Sequence, residues 1–166
     1  MAAFKTAMAV VFLAAAAANA QIAPENPDWR ESAVPPPPSF DPDHLIRLES
    51  PPGSSLNFGI DPATLSISPE GIVRYVVIAF RPGGARNVMY EGIRCATGQY
   101  RLYARYNAEG GWSMARDGDW QSLFESPAVR HALTFARAGA CTGHSAGRSA
   151  EDIARALRAG RSPGQE

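Results

Sequence analysis

Three histidines, two cysteines and a set of arginines are the residues here whose types permit chemistry. Cys141-Thr142-Gly143-His144 has the spacing of half a zinc site, but zinc needs further ligands and a free thiolate, and a disulfide would remove the thiolate. Asp117-Gly118-Asp119 resembles the opening of a calcium loop and lacks the later acceptors and the bidentate glutamate that complete one. No serine stands in a G-x-S-x-G context, and no glycine-rich loop leads into a helix to cradle phosphate. The expectation is therefore no metal, no cofactor and no catalytic set. His131 reads as a partly exposed helix residue beside an apolar stripe, and His44 carries no signal.

The polar residues that ask for an explanation lie inside apolar strand patterns. Tyr90 and Glu91 read as a structural polar core, with Glu91 paired to Arg94 or Arg74 across neighbouring strands, because an unpaired buried charge is costly. A sharper reading makes Arg74, Arg94, Arg101 and Arg105, with Tyr103, one cationic and aromatic sheet face that receives an anionic envelope ligand or an acidic partner.

Compartment follows from the first twenty residues. Lys5, an apolar run from Ala7 to Ala18 and the small-x-small triplet Ala18-Asn19-Ala20 form a signal peptide with cleavage expected after Ala20. The run falls short of the roughly 20 residues of a membrane span, so the expected product is soluble and periplasmic. Lys5 is the only lysine, so its removal leaves the remainder one charge on the acidic side of neutral. That balance argues against nucleic acid, whose binders carry a clear cationic excess. In an oxidising compartment the two cysteines, Cys95 and Cys141, read as one structural disulfide.

The elements that position these residues divide the chain. Residues 21–42 are polar and proline-rich, with Pro35 to Pro38 consecutive, and read as an extended arm poorly suited to a core. Trp29 is its exception, either docked on the domain or offered to a partner. Residues 43–160 read as a single domain and 161–166 as a disordered tail. Ile72–Phe80 is a nearly continuous apolar strand, followed by the turn Arg81-Pro82-Gly83-Gly84 and a strand over Asn87–Cys95. Gln99–Tyr106 alternates strictly, placing Tyr100, Leu102, Ala104 and Tyr106 on one face and Arg101, Tyr103 and Arg105 on the other. Leu45–Leu48 and Thr64–Ser68 are weaker strands. Val129, Ala132, Leu133 and Ala136 predict a helix over 127–137, and Ser149 with Asp152 opens a last helix that Gly160 ends. The fold class is α+β: an antiparallel meander packed by one or two C-terminal helices, tied by the disulfide.

The stretch Ala85-Arg86-Asn87-Val88-Met89-Tyr90-Glu91-Gly92-Ile93-Arg94-Cys95, followed by Tyr100-Arg101-Leu102-Tyr103-Ala104, resembles the signature of the cryptic neisserial protein-like family of small exported bacterial proteins. The similarity runs from Trp29 to Leu157 and takes in Trp112, Trp120 and Cys141. It implies export and a single domain, and it brings no activity and no catalytic residues. The expected function is a non-enzymatic binding or protein-interaction domain of the cell envelope. The alternative is a small envelope hydrolase or transferase using Glu91 with His131 or Tyr90, which requires those groups to meet in a pocket.

Overall fold

The computed structural model describes residues 28–51, 53–116 and 118–160. The signal peptide read at 1–20, the first part of the arm, Asp117 and the tail at 161–166 lie outside the described residues.

Strand β4 (Ile72–Phe80) is the spine of the sheet, and eight of its nine residues are buried. A strand buried on both faces reads as a continuous apolar run instead of an alternating one. β4 pairs with β5 (Arg86–Arg94), β5 with β6 (Gln99–Asn107) and β6 with β7 (Gly111–Met114), all antiparallel and in chain order, which is the expected meander. On the other side of β4 stand β2 (Asn57–Ile60) and the two-residue β3 (Ser66–Ile67), with β1 (Ile46–Leu48) outside β2. The turn Pro62–Thr64 joins β2 to β3, with the Asp61 carboxylate accepting from the Ala63 N–H as its cap. The short β8 (Gln121–Ser122) pairs with the start of β6, beyond β7.

One irregularity decides which side chains meet. Tyr90 faces Ala104 while Glu91 faces Leu102, so Tyr103 is an extra residue in β6. The strict alternation expected for β6 is therefore broken. Tyr100 and Leu102 pack on one face of the sheet, and Tyr103, Ala104 and Tyr106 on the other.

The first face carries the helices. After the turn Pro127–Val129, capped by Ser126, come α1 (Arg130–Phe135) and a wider π-helical turn over Ala136–Ala140, so the single helix expected over 127–137 is three short segments in sequence. A small hairpin of β9 (Cys141–Thr142) and β10 (Ser145–Ala146) leads to α2 (Ala150–Arg158). Ser149 caps α2 by accepting from the Asp152 N–H, as its sequence predicts, and Gly160 follows the helix with φ +60°. Val129, Ala132, Phe135, Ile153 and Leu157 pack against Val73, Tyr75, Val77 and Ile93. Cys95, just past β5, is bonded to Cys141, just past the π-helical turn, with Cα atoms 5.6 Å apart. The molecule is an α+β domain with two C-terminal helices.

The second face is covered by the arm. Val34 and Phe40, both half-buried, pack against Val76, Ile78, Tyr90 and Tyr103, so the segment read as an extended arm docks over a core without entering it. A proline-rich segment suits this role, because it can present side chains without needing ladder partners. Among the described residues no backbone-to-backbone hydrogen bond joins residues 29–42 to the sheet.

Candidate functional site

Two polar clusters occupy opposite faces of the same three strands. On the helix face Glu91 is fully buried. Its carboxylate accepts from the Tyr75 hydroxyl at 2.9 Å and the Tyr100 hydroxyl at 3.2 Å, and His131 Nε2 lies 3.0 Å from one oxygen and 3.1 Å from the other. The His131 ring also stacks on Phe58, with centroids 5.0 Å apart. His131 is therefore a buried residue, 5% exposed, and the partly exposed position expected of it is corrected. The cause is Glu91, a carboxylate that a helix residue on the sheet-facing side can reach.

Burial works against the charge on His131, and Glu91 more than offsets this, so the imidazole is held above its ordinary value. The Tyr75 and Tyr100 hydroxyls are both pushed up, first by burial and then by the same carboxylate. The ion pair expected between Glu91 and Arg94 or Arg74 is not made, since β5 and β4 point those arginines to the other face. Tyr90 is also on that other face, in the core beneath the arm, away from Glu91. A surface hollow of about 430 Å³ between the 62–64 turn and α2 is lined by neither cluster.

On the arm face the basic side chains converge on an acid from the arm itself. Arg74 Nη2 donates to Glu31 Oε1 at 3.0 Å, Arg101 Nη1 to Oε2 at 2.6 Å, and the Tyr103 hydroxyl to Oε1 at 2.5 Å. Both guanidinium groups also lie within 6 Å of the Tyr103 ring centre, at 5.7 and 5.5 Å. Three donors from two strands thus surround one carboxylate whose side chain is 7% exposed. Burial disfavours the Arg74 charge, and Glu31 with Tyr103 overcomes this, leaving the guanidinium more firmly protonated than usual. Burial also raises the Tyr103 phenol, and the Glu31 carboxylate raises it further.

The neighbours extend the site along the arm. The Arg94 guanidinium sits over the Trp29 ring at 3.6 Å, and Trp29 meets Trp120 edge to face at 6.0 Å. Ser32 donates through its N–H and its hydroxyl to Glu70, which also lies 3.7 Å from Arg74. The Ser32 hydrogen bonds hold the Glu70 carboxyl at about 2. At the other end Phe40 meets Tyr106 and Trp112 edge to face at 5.0 and 5.7 Å.

Four of the five residues expected on a cationic face share it: Arg74, Arg94, Arg101 and Tyr103. Arg105 does not. The bulge at Tyr103 turns it to the helix side of the sheet, where it is paired across the strands with Met89 and is exposed. Glu31 is the residue that sequence reasoning missed, and its only signal was an acid two positions after the odd tryptophan of the arm. Among the described residues no group of histidine, cysteine, aspartate and glutamate is arranged to hold a metal ion, and no helix is long and apolar enough to cross a membrane.

A family model, that of the CNP1-like family, matches residues 24–158. The chain belongs to the CNP1-like family. No curated protein and no solved structure matches it. The region shared with the CNP1-like family begins ahead of Trp29 and ends with α2, so it takes in the arm as well as the sheet and both clusters. The arm from residue 24 on lies within the region matched by the CNP1-like model.

Proposed function

We propose that this chain is a non-enzymatic binding or protein-interaction domain of the bacterial cell envelope, exported to the periplasm after cleavage at Ala20, and that it recognises acidic groups on the sheet face that carries Arg74, Arg94, Arg101 and Tyr103. The observation that carries this reading is the convergence of Arg74, Arg101 and Tyr103 on a single carboxylate. Planar guanidinium groups with a phenol between them form a carboxylate receptor, and such charge-assisted contacts are the stronger hydrogen bonds available to a protein. The leader at residues 1–20 and the disulfide support the compartment.

The hydrolase or transferase alternative has one observation in its favour, the 3.0 Å contact of His131 with Glu91. A substrate would have to reach a carboxylate that is fully enclosed, with two tyrosine hydroxyls already donating to it. A general base must lie within reach of the proton it removes, so the enclosed cluster fits a structural role better.

The test is in-cell crosslinking of the natively expressed protein, followed by mass spectrometry of what is joined to it. The reading expects recurrent recovery of one envelope component with crosslinks from the Trp29 arm or the Arg101 side of the sheet. Recovery of the monomer alone, at good expression and crosslinking efficiency, would count against it.

A further inference from the structure

The arm is a peptide lying on a receptor, and what it presents has an order: an aromatic ring on Arg94, a carboxylate among Arg74, Arg101 and Tyr103, then a hydroxyl and N–H on Glu70. We infer that residues 29–32 occupy, in cis, a site that takes the same pattern in trans: a partner's peptide segment with an aromatic residue two positions before an acid and a hydroxyl residue after it. This inference rests on the binding-domain reading and names the chemistry of the partner.

Three features separate such a site from a simple fold staple. First, the receptor has donors to spare. The buried Nε–H groups of Arg74 and Arg101 have no hydrogen-bond partner among the described residues, although the Arg74 side chain is only 4% exposed. An unmatched buried donor is costly, and an arrangement evolved only to hold Glu31 would have little reason to keep two of them.

Second, the site has an open side, because the Arg101 side chain is 31% exposed. Third, the seated segment can leave without breaking the sheet. Residues 29–42 have no backbone-to-backbone hydrogen bond to it among the described residues, and their hold is through side chains and a few contacts from backbone N–H to carboxylate. Peptide modules that read side chains in sequence work in this way. A tethered segment competes at an effective concentration in the millimolar range for a short linker, so the arm sets a threshold that only a well-matched or locally abundant segment exceeds.

The experiment is a titration of the purified chain with a synthetic peptide of residues 28–34, using a Glu31→Ala chain in which the arm has lost its carboxylate. Saturable binding to the Glu31→Ala chain is expected. Binding to the unmodified chain should be at least tenfold weaker, because its own arm competes, and a peptide carrying Glu31→Gln should lose at least tenfold on the Glu31→Ala chain. A Glu31→Ala chain with an unaltered circular dichroism spectrum and no saturable binding at millimolar peptide would overturn the inference, as would equal binding of the two peptides.

Should the variant fail to fold, the unmodified chain serves. Its Trp29 indole and Arg101 Nε–H resonances should shift progressively with the peptide and not with its Gln form, and the absence of any shift overturns the inference. Displacement of the arm by inorganic phosphate at the same concentration would also overturn it, in favour of a simple anion site. Failure in these titrations with a partner still recovered by crosslinking would leave the binding-domain reading standing, which separates the two.

Discussion

Gly92 leaves the gap into which the Tyr103 ring lies. A Cβ at Gly92 would stand 2.6 Å from the Tyr103 hydroxyl oxygen and 2.8 Å from a ring carbon. Gly92 and Arg101 face each other across β5 and β6, so this missing side chain lets the bulged Tyr103 reach back over β5 to Glu31. Glycine in a strand interior often marks such a close approach.

Gly92→Ala should therefore cost on the order of 2 kcal/mol, as overpacking of a filled site does. The cause is testable by a double-mutant cycle in urea denaturation. Adding Tyr103→Ala removes the ring that the new methyl group meets, so the two losses should sum to more than the double variant shows. Strict additivity would mean that the methyl group and the ring do not interact.

Glu91→Ala should be the more damaging change on the helix face. It leaves His131 and the Tyr75 and Tyr100 hydroxyls without their common acceptor inside the core. Truncating one member of a buried charged network costs about 3 to 5 kcal/mol. Tyr100→Phe, which removes one donor and leaves the carboxylate two others, should cost only about 1 kcal/mol. Urea midpoints of the two variants would rank them.

His131 makes stability depend on pH with a definite sign. Its folded-state pKa is raised above the ordinary 6.5, against the pull of burial and because of Glu91. The folded form therefore binds more protons than the unfolded form, and the stabilisation is complete below about 6.5 and lost as pH rises through the folded value. The urea midpoint should fall with rising pH in that window and flatten in His131→Gln. His44, exposed and raised by Asp41, shifts in the same direction, so the comparison belongs in a His44→Ala background.

Replacing Cys95 and Cys141 together by serine should cost about 4 kcal/mol on the chain-entropy estimate for this loop. Denaturation with and without reductant would give the same loss in the unmodified chain and no change in the double variant.

Much of the meander was legible, since its signals are local. Ile72–Phe80 is apolar from end to end, turn residues separate β4 from β5, and Ser149 announces its own helix. β2 was not expected, and its residues explain why. Asn57 and Gly59 are poor strand formers, and Gly59 is required there because a Cβ would meet Leu45 Cβ at 2.9 Å. The helix-face cluster was half legible: Glu91 stood out as an acid in an apolar strand, while its partner His131, forty residues on, looked like an ordinary helix residue. The cationic face was found apart from Arg105, which a single bulged residue sends to the other side. Its occupant was missed because a proline-rich, polar composition describes a backbone without ladder hydrogen bonds and says nothing about where its side chains dock.

The arm's seat also orders events in time. Glu31 is separated by 70 residues from Arg101 and 72 from Tyr103, and the third donor, Arg74, comes from a different strand. The receptor therefore comes into being only once β4, β5 and β6 have paired, long after the arm has left the ribosome. The arm is made before the strands that seat it, and until those strands have paired its carboxylate remains available to whatever it meets on the way.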